Sequence, residues 1–173
     1  GPASLAMREV ARRAGCTHQA PYHYFQGREA ILVVLVEEGY RRLEEALAHA
    51  RRANEGAAPD VITRAAGCAY LTCALANPGV FRIMFRSDMY DSDAHPQVRT
   101  ASLAARAQLR SLARLAYGTD DPRAELTLWA YVHGLATLAL DGPPALGVGE
   151  QVRRCALEAI DAPYFVDGLR GVR

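Results

Sequence analysis

Apolar residues recur along this chain with the three-to-four-residue spacing of helices, and no run shows the alternation of a half-buried strand. Over Met7 to Ala14 one stripe collects Met7, Val10, Ala11 and Ala14, while Arg8, Glu9, Arg12 and Arg13 fall elsewhere, and Gly15 closes the segment. A short second helix is predicted with Thr17 as its cap and His18, Gln19 and Ala20 in its first turn. The missing N–H of Pro21 costs that helix at most its first hydrogen bond. A third helix is predicted from Arg28 to Ala53. It places Ile31, Leu32, Leu35, Tyr40, Leu43 and Leu47 inward and Glu37, Glu38, Arg41, Arg42, Glu44 and Glu45 outward, and its length suits a connector between two modules.

Asn54 to Ala58 reads as a linker, after which Asp60 caps a helix running to Ala76. Gly79 to Phe85 is a short helix or turn, Ser87 to His95 a polar loop, and Pro96 starts a helix that reaches Tyr117 and Gly118. Asp121 and Pro122 supply the cap and N1 proline of the next helix, which continues to Leu140 before Asp141-Gly142-Pro143-Pro144 breaks it. A last helix, Glu150 to Ile160, precedes an irregular tail. The Pro122 to Leu140 helix is apolar nearly all round, so it needs cover on two sides. One side is met by the core and the other by a second subunit, which predicts a homodimer joined by this helix and the one around Cys155 and Leu157. The fold class is all-α, divided into a small N-terminal module (residues 1–45) and a helical bundle (residues 46–173).

A helix, a tight turn, a short second helix and the start of a third is the layout of a helix-turn-helix that reads DNA. Gln19 has the geometry for adenine and His18 can donate to guanine, so these two are the expected base readers. Thr17, Tyr22, Tyr24 and Arg28 carry donors suited to phosphates, with Ala20 and His23 completing the reading set, and Phe25 is the apolar plug between the second and third helices.

Composition adds little until its distribution is considered. Half of the 173 residues are hydrophobic and 23% are charged, which is ordinary for a globular chain, and the net charge of +1 gives no global pull toward nucleic acid. Residues 1–28, however, hold Arg8, Arg12, Arg13 and Arg28 against Glu9 alone, whereas residues 54–173 hold 12 arginines against 13 acids. The positive charge sits on the suspected reading head. All 20 basic residues are arginine, which reads as coding bias in a GC-rich bacterial genome. The longest aliphatic run, Ala30 to Val36, is too short to span a bilayer and no leader precedes it, so a cytoplasmic protein without membrane association is expected. Cys16, Cys68, Cys73 and Cys155 are scattered through helical segments and are expected to be reduced, buried thiols. Asp88, Asp91, Asp93 and His95 crowd one loop with neither calcium-loop nor zinc spacing, so a solvated loop is expected and no metal or cofactor. No nucleophile elbow, phosphate loop or zinc-protease signature is present.

The same residues carry a resemblance. Arg8-Glu9-Val10-Ala11, Ala14-Gly15-Cys16-Thr17, Tyr22-His23-Tyr24-Phe25 and Gly27-Arg28-Glu29-Ala30-Ile31 resemble, in register, the DNA-binding segment of the TetR family of bacterial transcriptional regulators. The chain departs from that pattern at Arg28, where the family usually has Lys, at Tyr24, where His is commoner, and at Ala6, where Ser or Thr often caps the helix. The family also has a helix ahead of this segment, packed beneath it, that this sequence starts too late to include. Farther on, Trp129-Ala130-Tyr131-Val132-His133-Gly134 and Asn77 to Phe85 resemble the Trp, His-Gly and "F-R-x-M-F" stretches of one class of TetR regulatory domain.

The resemblance implies a ligand-responsive regulator, by default a repressor, that binds a palindromic double-stranded DNA operator as a homodimer and is released by a small-molecule effector. Tyr70, Phe81, Met84, Phe85, Trp129 and His133 are then candidates to line the effector cavity, although the same aromatics also suit a plain core. Two other readings remain at this stage: an all-helical ligand-binding or interaction protein that has lost DNA binding, and a small all-α enzyme using His133.

Overall fold

The computed structural model describes residues 7–17, 19–86, 88–142 and 150–161. Among these the chain forms eight helices: α1 Met7–Arg13, α2 Ala20–Tyr24, α3 Arg28–Ala53, α4 Pro59–Ala76, α5 Pro78–Met84, α6 Pro96–Tyr117, α7 Pro122–Asp141 and α8 Glu150–Asp161. The backbone of α3 is unbroken for 26 residues, about 39 Å, and passes without interruption through the boundary at 45–46 expected from the sequence. Its stripe Leu32, Val36, Leu43 and Leu47 is buried, and α4, α5 and α6 pack against it. Tyr70 and Leu71 of α4, Leu112 of α6, Val132 of α7 and Ile160 of α8 complete the core. At the α3–α6 seam, Arg51 donates to Gln108 at 2.9 Å and Gln108 donates to Glu44 at 2.9 Å, so its polar groups find partners.

Most boundaries fall where the pattern puts them, each for an identifiable reason. Gly118 takes the left-handed conformation that ends α6, with φ at 67°. The Asp121 carboxylate accepts from the Arg123 amide at 2.8 Å and opens α7. The Pro143-Pro144 part of the expected break, the cap position Ala6 and the C-terminal tail lie outside the described residues.

Five local expectations are corrected. The second helix begins at Ala20 with Gln19 at the cap position, and no side chain caps it, so Thr17 is not its cap. A helix capped at Thr17 would need the Pro21 amide to donate to the Thr17 carbonyl, and proline has none. That carbonyl accepts from Ala20 instead, at 3.0 Å. Similarly, α4 starts at Pro59 with Ala58 at the cap, leaving Asp60 inside the first turn, 3.5 Å from Arg64. Leu35 is exposed and Val33 and Val36 take the inward positions, while Ala14 lies beyond the end of α1 and is exposed. Of the four cysteines, Cys68 and Cys73 are half-buried, but Cys16 and Cys155 sit at the surface.

One residue sets how closely the short helix α5 lies on α3. A Cβ on Gly39 would stand 2.6 Å from the Met84 sulfur and 2.7 Å from a Val80 methyl, so a larger residue there forces these side chains to shift. Gly39→Ala should therefore push α5 outward and destabilise the protein by about 1–3 kcal/mol in urea titrations. Gly79→Ala, where a Cβ meets nothing within 4 Å, should leave stability unchanged or slightly raised.

Candidate functional site

Two regions gather the residues singled out by the sequence. In the first, α1 ends in a left-handed turn at Gly15, with φ at 67°, where the Cys16 amide donates to the Ala11 carbonyl at 3.0 Å. The turn leads into α2, which the buried Pro21 fastens inward. Fixing that face turns the remaining side chains out: Tyr22 is 57% and Tyr24 84% exposed, and Thr17, Gln19 and His23 are exposed too. Two large phenols facing solvent on so short a helix serve no core, and an exposed aromatic cluster is the informative departure from ordinary burial. Ala20, Phe25 and Arg28 are half-buried, the first two at either end of α2 and Arg28 in the opening turn of α3. His18 lies outside the described residues. Glu9 binds Arg12 and Arg13, each at 2.7 Å, and these two guanidiniums hold its carboxyl down at about 2. Such exposed pairs contribute little to stability.

The second region is a cavity of about 560 Å³. Tyr40 of α3, Met84 and Phe85 at the end of α5, Tyr90 and Ser92 of the following loop, Val98 and Ser102 of α6, and Leu126, Trp129, Ala130 and His133 of α7 form its wall. No charged side chain is among these described lining residues. Of the six candidates, Met84, Phe85, Trp129 and His133 reach the cavity. Tyr70 and Phe81 do not, being buried directly behind the wall. Tyr70 supports it through its hydroxyl, which lies 3.0 Å from His133 Nδ1 and accepts from Trp129 Nε1 at 3.3 Å. Phe85 meets the His133 ring edge-on at 4.5 Å between centroids, and Phe81 meets Phe85 at 5.2 Å. Burial lowers the His133 pKa and raises that of Tyr70, so both are neutral at physiological pH.

Tyr40 and Tyr90 are functional candidates that the sequence left unmarked. The helical pattern places Tyr40 inward on α3, but nothing in its spacing tells cavity from core, and Tyr90 stands in a segment that reads as polar loop. Both phenols donate to one acceptor, the Met84 carbonyl, each at 2.7 Å. That carbonyl ends α5, and among the described residues no backbone amide donates to it, so the two hydroxyls cap it. Burial raises the pKa of both phenols, which keeps the donors protonated. In the same loop Asp88 pairs with Arg86, and Asp91 accepts from the amides of Asp93 and Ala94. His95 Nε2 lies 3.3 Å from Glu29 in the first turn of α3.

Residues 63–162, which include α6, α7 and α8, match the family model described as "Tetracyclin repressor-like, C-terminal domain". The chain belongs to the TetR family. Over 42 residues this TetR-family chain is 45% identical to uncharacterized HTH-type transcriptional regulators of two Mycobacterium tuberculosis strains, a stretch spanning 24% of this chain and 21% of theirs. Its fold is shared with a Rhodococcus sp. RHA1 protein of unknown function at a TM-score of 0.72 and 30% identity, covering 95% of this chain and 84% of that one. The TetR family transcriptional regulator PfmR from Thermus thermophilus matches at a TM-score of 0.75 and 18% identity, covering 98% of this chain and 91% of that one. TetR-family proteins are transcription regulators and not enzymes, which removes the reading of His133 as a catalytic residue.

The shared carbonyl makes the two phenols interdependent. Tyr40→Phe and Tyr90→Phe should each cost about 0.5–1.5 kcal/mol in chemical denaturation, since the other hydroxyl still caps Met84. The double variant should cost more than the sum, because the carbonyl then loses both phenol donors.

Proposed function

We propose that this chain is a cytoplasmic, ligand-responsive TetR-family repressor that binds a palindromic DNA operator as a homodimer and leaves it when a small molecule fills the cavity. The observation that carries the reading is α3. One continuous helix carries Arg28 at its first position, four residues after α2 ends, and, twelve residues on, Tyr40 in the cavity wall, about 18 Å away. A rigid element shared by two sites can carry a coupling between them. A second tie runs alongside it. The Glu29 carboxylate accepts from the Asp91 amide at 3.5 Å and meets His95, so the loop that supplies Tyr90 and Ser92 to the cavity also touches the head of α3.

In this reading residues 1–45 form the DNA-binding module and residues 46–173 the regulatory and dimerisation module, with α3 common to both. Thr17, His18, Gln19, Ala20, Tyr22, His23, Tyr24 and Arg28 form the DNA-facing set, His18 and Gln19 reading bases and Tyr22, Tyr24, Thr17 and Arg28 holding phosphates. Leu138 is 43% exposed on α7, supporting use of its face, with α8, against a second subunit. Among the described residues no helix is long and apolar enough to cross a membrane.

The test is a gel shift of the full natural protein on the DNA flanking its own gene, across a salt series and with nonspecific competitor. A competitor-resistant shift with two protomers per site is expected, and its absence with folded protein would move the function to ligand binding or protein interaction without DNA. Within that assay, Tyr22→Phe should weaken all sequences alike. Gln19→Ala should relax discrimination at one base pair per half-site by about 1–3 kcal/mol, and a uniform loss would contradict a base-reading role.

A further inference from the structure

The hydrogen bonds behind the cavity determine what its only imidazole presents to a ligand. Trp129 Nε1–H can donate and never accept, and it points at the Tyr70 hydroxyl, 3.3 Å away. The Tyr70 side chain is fully buried, and its own proton has one acceptor within reach, His133 Nδ1 at 3.0 Å. The opposite arrangement, Nδ1–H into the same oxygen, would bring two donors onto it and strand the Tyr70 proton in the core, an unsatisfied group that folding avoids. With Nδ1 accepting, the single proton of the neutral imidazole sits on Nε2. Among the described residues that nitrogen has no hydrogen-bond partner, and its ring forms part of the cavity wall.

Of the other polar groups of the wall, the Ser92 hydroxyl can donate or accept, and the remaining three have their protons engaged. The hydroxyl protons of Tyr40 and Tyr90 are both committed to the Met84 carbonyl, and that of Ser102 to the Arg99 carbonyl at 2.9 Å. Toward the cavity these three oxygens can only accept. Among the described lining residues there is neither a guanidinium to neutralise a carboxylate nor a carboxylate to neutralise an amine, so a charged ligand would lose hydration there without gaining an ion pair.

We propose that the cavity selects an uncharged, largely aromatic ligand bearing a carbonyl-type oxygen, which accepts a hydrogen bond from His133 Nε2–H, with Tyr70 and Trp129 as positioning residues that lock this tautomer. The proposal rests on the reading of the cavity as the effector site. The volume admits a fused bicyclic or tricyclic ring system, and Phe85 and Trp129 offer faces for it to pack on.

Two measurements on the intact protein test it. In nitrogen-15 NMR of the ligand-free protein, the His133 Nδ1 signal should fall in the unprotonated range and Nε2 in the protonated range. A protonated Nδ1 overturns the assignment without any variant having to fold. In calorimetric titrations, β-acetylnaphthalene should bind about tenfold more tightly than β-isopropenylnaphthalene, its isostere without the oxygen. Naphthoate and naphthyltrimethylammonium should both bind more weakly than the ketone. His133→Leu should bring the ketone and its isostere together while retaining the isostere, and Tyr70→Phe should erode the ketone preference along with the tautomer signal. Equal binding of the two neutral probes, or preference for either ion, overturns the proposal and leaves the cavity as a site. If neither neutral probe binds, the effector-site reading itself fails and the proposal falls with it.

Discussion

The close seat of α5 on α3 is the constraint from which the rest of the structure follows. It exists because Gly39 has no side chain to hold Val80 and Met84 away. Once α5 lies there, its last carbonyl comes within reach of Tyr40, and the chain leaving it brings Tyr90 to the same oxygen. Phe85 then falls against His133, and the space enclosed by these side chains, α6 and α7 becomes the cavity. A missing methyl group in one helix thus sets the position of a wall contributed by four elements.

The cavity is apolar in bulk and directional in detail. Its aromatic side chains contribute area, while the Tyr40, Tyr90, Ser102 and His133 groups facing it have their protons assigned by Met84, Arg99 and Tyr70. Tyr70 and Phe81 do not touch the space, yet they hold the ring that does. This division explains why sequence reasoning grouped six residues as neighbours but could not separate the four that line the cavity from the two that support it. Core and lining residues share one composition and one helical period, and differ only in what happens to lie opposite them.

The reading head shows the converse. Its chemistry is local, since a left-handed Gly15, a buried Pro21 and a five-residue helix are enough to present Tyr22 and Tyr24 to solvent. Such features are written in consecutive residues and are legible without any tertiary information. The cap expected at Thr17 fails because proline at position 21 removes the one amide that would have reached its carbonyl.

The sequence by itself determined the all-helical class, the extents of α3 and α6, the stops at Gly15, Gly118 and Pro78, and the helix-turn-helix order of the N-terminal segment. Each of these depends on periodicity or on the backbone limits of glycine and proline, which act over a few residues. Only the tertiary structure decided that Val36 and not Leu35 faces inward, that Tyr40 and Tyr90 share one carbonyl, that Glu29 meets His95, and that His133 turns one nitrogen to Tyr70 and the other away from it. Those facts depend on which helix packs across from which, at separations of tens of residues, and no local pattern encodes the geometry of a distant partner.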